Sequence, residues 1–394
     1  MIELSENLLM IAFIVYLAAI PFFGWAIRQK NISKGKKSLK SWVTVAMIMT
    51  VAGFAAHLGY FITRWLAAGF APVSNLFEFI TFFGWCIVAA FILIFYLYKT
   101  PALGLAVMPV VVILLAYAGM FSGDITPLIP PLQTHWLQIH VITTALGQAI
   151  LAISFASALI LLIKKVDQTK RNISNICLEA ILFFIISVIG FIFVTVAFNA
   201  LDYSASFQRT NQFGAKETIE YKMPPVIGPN EGKLTAGQFE PILEAPAIID
   251  AKKLNTVIWS FSAGIILYIL MRIILRKRIG AALKPLTGGI NEELVDEISY
   301  RSVLIGFPIF TLGALVFGMI WAQIAWSRFW GWDPKEVWAL ITWLFYAAFL
   351  HLRLSRGWHG ERSAWLAVIG FGIIMFNLVA VNLVIKGLHS YAGL

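Results

Sequence analysis

A succession of ten long apolar runs, separated by short charged stretches, constrains this chain more than any other feature. Each run approaches or exceeds the ~20 residues that a helix needs to cross a hydrocarbon core of ~30 Å. Inside lipid every backbone polar group must find its partner within the structure, so continuous apolar runs imply helices. A closed barrel would show alternating polarity instead. With 60% hydrophobic and 13% charged residues, the 394-residue chain is too apolar for a soluble globule. The expected fold class is an all-α integral membrane protein, a polytopic bundle of about ten transmembrane helices with both termini on the extracytoplasmic side. The formal charge of +10 invites a nucleic-acid partner. Its basic residues, however, fall in short blocks between the spans, as membrane topology requires, so no nucleic acid is expected.

Those blocks set the topology. The first span, about 8–27, is followed by Arg28, Lys30, Lys34, Lys36, Lys37 and Lys40 with no acidic residue among them, which places that loop in the cytoplasm. The N-terminus is acidic and no small-residue cleavage site follows, so this run is expected to remain as a helix rather than leave as a signal peptide. Alternation then gives spans at about 42–63, 76–98, 103–121, 136–163, 176–198, 257–275, 302–324, 337–354 and 364–385, with a short amphipathic cytoplasmic helix at 291–300. Lys164, Lys165, Lys170 and Arg171 fall in the next cytoplasmic loop that alternation demands. The expected organisation is therefore helices 1–6 over residues 1–198, an extracytoplasmic insert at 199–255 that is a small ordered cap, a docking arm or a floppy excursion, and helices 7–10 over 256–394. Cys86 and Cys177 lie inside spans and no Cys-x-x-Cys occurs, so neither a disulfide framework nor a thiol redox pair is indicated.

Between spans eight and nine the chain reads Trp326-Ser-Arg328-Phe-Trp330-Gly-Trp332-Asp333-Pro334-Lys335-Glu336-Val-Trp338, with Trp343 five residues on. An aromatic belt explains two or three tryptophans at a helix end, but it does not require this dense, charged arrangement. Asp333-Pro334 with Glu336 also reads as a helix cap with Pro at the first helical position. Alternation puts this stretch, His140 and His389 on one external face although they are far apart in sequence. Imidazole is a common axial ligand of haem iron, and tryptophans offer a broad apolar face to a macrocycle.

The stretch resembles the tryptophan-rich WWD signature (here about 321–343) of haem-handling proteins in cytochrome c biogenesis. The likeness extends through Phe307-Pro-Ile-Phe-Thr-Leu-Gly313, His351-Leu-Arg353, Gly357-Trp358 and Gly387-Leu-His389-Ser-Tyr391, and more weakly to Arg64-Trp65, Ser74-Asn-Leu-Phe-Glu78 and Trp136-Leu-Gln-Ile-His140. That set resembles the CcsA (ResC) family, the large membrane half of the system II cytochrome c synthase. One departure is Ser327, where the family usually has glycine.

The resemblance implies haem b as cofactor, a CcsB/ResB-like membrane subunit as partner, and an apocytochrome c carrying Cys-x-x-Cys-His as acceptor, all at the cytoplasmic (inner) membrane with an extracytoplasmic active face. It implies His140 and His389 as the external axial pair and His351 as an inner, transmembrane haem ligand. Trp326, Trp330, Trp332, Asp333 and Trp338 would shape the haem face, with Arg328 and Lys335 as candidates for the propionates. His351 lies roughly 20 Å along span nine from the external face and His57 roughly 22 Å out from the cytoplasmic end of span two, so their depths differ. The second inner ligand is then His57 only if the helices tilt strongly; otherwise it comes from the partner. The function implied is haem transport, presentation and covalent attachment, as a haem lyase subunit whose chain supplies positioning and no nucleophile. The alternatives are a haem exporter or handler of the CcmC or CcmF type and, on weaker grounds, a b-type cytochrome subunit of a quinol oxidoreductase.

Overall fold

The computed structural model describes residues 1–32, 36–119, 121, 123–125, 128, 132–210, 216–246 and 251–381. Ten helices among these residues are long and apolar enough to cross a membrane. The chain is an all-α polytopic membrane protein, as its apolar runs require. It divides into two compact units, Met1–Val166 with Leu283–Leu394, and Asp167–Ala282.

The first unit starts with α1 (Ile2–Ile32) and α2 (Lys36–Ala68), which pack along each other, followed by α3 (Leu76–Tyr98) and α4 (Pro101–Ala118). The side chain of Asn75 caps α3 by accepting the Glu78 amide at 2.8 Å. Pro101 opens α4 at a first-turn position where a missing N–H costs nothing. Central to the unit is α5 (His135–Lys165), capped by Thr134, and every residue from 151 to 163 is buried.

The unit's other long element is one continuous helical rod over 292–326, 35 residues long. It comprises α9 (Glu292–Phe310), a π-helical segment (Thr311–Phe317) and α10 (Gly318–Trp326). The separate amphipathic helix expected at 291–300 is instead the first part of this rod. Its charges do not end the helix because they are paired: Arg301 with Glu297 at 2.6 Å, and Asp296 with the buried Arg353 at 2.8 Å. Two helices complete the unit, α11 (Pro334–Arg356) and α12 (Glu361–Phe376), the latter running on into a second π-helical segment, Asn377–Val381.

The rod lies against α5 at close range. A Cβ on Gly147 would stand 2.5 Å from the backbone nitrogen of Phe310, and one on Gly306 would stand 3.0 Å from the Gly147 carbonyl oxygen. Small residues at such a contact let two membrane helices approach and gain dispersion energy that apolar burial cannot supply in lipid. Deeper along the same seam, the Ser154 and Ser299 hydroxyls lie 2.9 Å apart and Ser299 donates to the Ser154 carbonyl.

The second unit pairs α6 (Ile173–Ala200) with α7 (Ala251–Leu275), followed by the short α8 (Ile279–Leu283). The Glu179 carboxylate accepts hydrogen bonds from Tyr268 at 2.6 Å and from the Gly280 amide at 2.9 Å. The polar segment between α6 and α7 carries strands among its described residues: β1 (Ala205–Thr210), β2 (Lys216–Tyr221), β3 (Ile227–Gly228), β4 (Lys233–Ala236) and β5 (Leu243–Glu244). β1 lies antiparallel between β2 and β4, and β3 pairs parallel with β5. Ala205, Phe207 and Tyr221 form its small core. Asn255 fastens it to α7, accepting from the Val226 amide at 2.8 Å and donating to the Pro224 carbonyl.

Candidate functional site

Where α5 begins, α10 ends and α11 begins, the first unit encloses a cavity of about 190 Å³. A single water needs only about 10–15 Å³ of such space, so this is room for an organic ligand. The sequence of each bordering element explains its shape. Asp333 caps α11 in a capping box with Glu336, and Pro334 holds the first helical position, as the residue pattern predicts. The Glu336 carboxylate also takes the Gly331 amide at 2.7 Å, which folds the tryptophan loop back over the helix start. Ser327 ends α10 in the left-handed region at φ 56°, and Trp332 adopts φ 57° in the same loop.

His140 lies on the cavity wall. Its Nδ1–H donates to the carbonyl oxygen of Gly313 at 2.9 Å, and its ring stacks on that of Trp321 with centroids 5.6 Å apart and planes 10° apart. Trp321 in turn meets Trp326 edge-on at 4.7 Å. Thr144 and Gln148 continue the same face of α5 at one-turn intervals and line the cavity. The Thr144 hydroxyl is buried with no hydrogen-bond partner. Trp326, Trp330 and Lys335 also line it, and Lys335 makes no ion pair among the described residues. Both π-helical segments reach this wall, through Ala314 and through Asn377 with Leu378. π-Helical turns are rare and concentrate at functional sites.

The other candidates lie elsewhere. Trp332 is 71% exposed, and Trp338 packs on Phe376 with centroids 4.4 Å apart. Arg328 is exposed and lies over Gly331. His389 falls outside the described residues. His351 is exposed on α11, in an outward stripe with Leu344, Ala348 and Ser355. His57 is fully buried in α2 among Tyr16, Tyr60 and Phe61, and neither ring nitrogen has a hydrogen-bond partner. α2 packs chiefly on α1 and α3, whereas α11 packs chiefly on α12 and the rod. Sequence reading took Gly313 only as part of a motif and Trp321 only as the edge of the tryptophan-rich stretch, and it did not single out Thr144 or Gln148. The i, i+4, i+8 spacing of His140, Thr144 and Gln148 was the available signal for the last two.

Fold and site together define a polytopic helical membrane protein with a tryptophan- and histidine-lined cavity at one end of a bundle. The family model described as "Cytochrome C assembly protein" matches residues 73–199 and 255–389. Relatives include the cytochrome c biogenesis protein CcsA of Microcystis aeruginosa, 31% identical over 86% of this chain and 83% of the relative. The protein of that name from Nostoc punctiforme is 31% identical over 88% and 87%, and that of Pyropia yezoensis 28% identical over 98% and 94%. The chain belongs to the cytochrome c assembly family, and its role lies in cytochrome c biogenesis.

Proposed function

We propose that this chain holds haem b in the tryptophan-lined cavity and presents it for covalent attachment to apocytochrome c outside the cytoplasmic membrane, as the CcsA-type subunit of a cytochrome c synthase. The observation that carries the reading is the His140–Gly313 hydrogen bond. With its Nδ1–H committed to a carbonyl, the neutral ring keeps its lone pair on Nε2, the nitrogen an iron would need, and metal-binding histidines are commonly held in this way. The donor set therefore fits a haem: an imidazole of fixed tautomer, indole faces on the same wall, and an ammonium group for a carboxylate.

Haem bound there would supply vinyl groups to which the cysteine thiols of a Cys-x-x-Cys-His acceptor add. The chain's own residues position and shield. His140 and, from outside the described residues, His389 would hold the iron. Trp326 and Trp330 would exclude water from the macrocycle, and Lys335 would neutralise a propionate through a charge-assisted bond. Trp332, Trp338, Asp333 and Arg328 act from around the loop, Asp333 by fixing the start of α11. Nothing in this arrangement acts as a nucleophile; catalysis is by orientation.

His351 is the proposed inner ligand. An ionisable side chain on the outward face of a membrane helix is costly in lipid, so its exposure favours a neighbour, and a CcsB/ResB-like subunit is the proposed source of the second ligand. His57, sealed among aromatic rings away from the cavity, is the weaker candidate.

The test is the reduced and oxidised absorption spectrum of the purified chain, unaltered and as His140→Ala, His389→Ala and His351→Ala, with and without imidazole. Haem is expected to be lost in His140→Ala and His389→Ala and regained with imidazole. Haem kept unchanged in all three variants would sink the proposal. Direct binding of apocytochrome separates a synthase from a handler of the CcmC or CcmF type, which need not bind it.

A further inference from the structure

We infer that the π-helical segment Thr311–Phe317 is a positioning device for His140, and that its working part is the main-chain carbonyl of Gly313. This rests on His140 being a haem ligand, but its first step, the tautomer, does not. In a regular α-helix the Gly313 carbonyl would accept from the amide of residue 317, four positions on. Here it accepts from the Gly318 amide, five positions on. The wider turn tips the carbonyl off the helix axis, and it takes a second donor from another helix, His140 Nδ1–H, at 2.9 Å.

Four features of the sequence converge on this arrangement. Pro308 has no amide hydrogen, so the α-helical ladder is already broken one turn before the π segment. Thr311 anchors the segment's first residue: its hydroxyl donates to the Phe307 carbonyl at 2.8 Å and accepts the Trp343 indole N–H at 3.0 Å. Gly313 has no side chain where the backbone of Thr144 passes, and a Cβ there would collide with the Thr144 amide nitrogen. Gly318 leaves room for the imidazole, since its Cβ would stand 3.2 Å from both Cε1 and Nδ1 of His140. The π turn therefore aims one carbonyl, the glycines bring the ring to it, and the hydrogen bond selects the tautomer that leaves Nε2 for iron.

A backbone acceptor cannot be removed by changing its own side chain, so the test removes the π turn. Deleting Leu312, whose side chain is 47% exposed, takes one residue from the widened turn and returns the rod to α-helical spacing with the same faces before and after. The first readout needs no haem: nitrogen-15 NMR of histidine-labelled chain, with His140→Gln to assign the signal. The unaltered chain is expected to show His140 as the Nδ1–H tautomer, and the deletion to lose that preference. The second readout is haem affinity by spectral titration, where loss of the outer partner of a metal-binding histidine weakens binding about 10- to 100-fold. Pro308→Ala, which restores an amide without shortening the chain, serves if the deletion does not fold, and should show the same two changes at smaller size. An Nε2–H tautomer in the unaltered chain overturns the inference, as does a folded deletion variant with tautomer and haem affinity both unchanged. Failure of the haem reading is separately visible as haem retained in His140→Ala.

Discussion

The wall that carries His140 and the corner of α1, α2 and α3 that carries His57 solve opposite packing problems. At the corner the helices are regular and the space is filled by rings: Phe61 stacks on His57 at 5.2 Å, and Phe54 stacks on Trp85 at 4.8 Å. His57 is fully buried there, with nothing bonded to either nitrogen. At the wall the rod departs from α-helical spacing, glycines replace side chains, and a cavity lies beside a histidine whose Nδ1–H is bonded to a main-chain carbonyl. Burial alone therefore does not mark a ligand. What distinguishes His140 is a main-chain partner for Nδ1 and a place on the cavity wall, as the proposed ligand role requires.

The largest effect that bears on this contrast comes from the boundary between the two regions. Arg64, at the end of α2, pairs with Glu78 at 2.8 Å with each side chain 1% exposed. Glu78 also accepts from the amide and hydroxyl of Ser74, a residue of the cavity wall, and Arg64 donates to the Gly123 carbonyl at 2.8 Å. Truncating one member leaves the other charge buried without its partner, which costs about 3–5 kcal/mol. Arg64→Ala is expected to lower thermal stability in detergent by that amount and to loosen haem along with it, because the wall at Ser74 hangs on this pair. Stability lost with haem affinity untouched would show that the pair belongs to the aromatic corner alone.

His57→Phe sharpens the contrast directly. A buried polar group without a hydrogen bond costs about 1–3 kcal/mol, and a phenyl ring of similar shape removes that cost in a site already lined by rings. The variant is expected to be more stable by about 1 kcal/mol in thermal unfolding, with an unchanged haem spectrum. Loss of the haem spectrum in His57→Phe would make His57 a ligand and break the distinction between the two regions.

The sequence exposed one side of this contrast more clearly than the other. Apolar runs announce spans because lipid imposes a strong compositional demand, and Asp333-Pro334 with Glu336 announces a cap because those residues satisfy specific orphan amides. The rod over 292–326 reads in the sequence as two elements, a short amphipathic helix and a span, whereas Asp296 and Glu297 find partners, one on α11 and one within the rod, and the helix runs on. The π segments left no pattern to read: a single widened turn shifts the periodicity of a nearly uniform apolar run too little to register. Trp321 stands at the edge of the tryptophan-rich stretch, and nothing in its sequence position shows that its ring stacks on His140.

The smallest expected effect lies in the loop that closes the cavity side. Ser327 ends α10 at φ 56°, a left-handed conformation that costs an L-residue roughly 1 kcal/mol and a glycine almost nothing. Its amide bonds the Gln323 carbonyl at 3.0 Å, so the turn is set by the backbone and the serine is exposed. Ser327→Gly should therefore stabilise the folded chain, though by less than 1 kcal/mol, because glycine also gains freedom in the unfolded state. Differential scanning of the two chains in the same detergent checks the sign. If the loop tolerates this strain only to aim its tryptophans, relaxing it should raise the melting temperature slightly while haem retention falls. A gain in stability with haem retention unchanged would mean that the strain at Ser327 is incidental, and that the geometry facing His140 is set by the capping box of Asp333 and Glu336 alone.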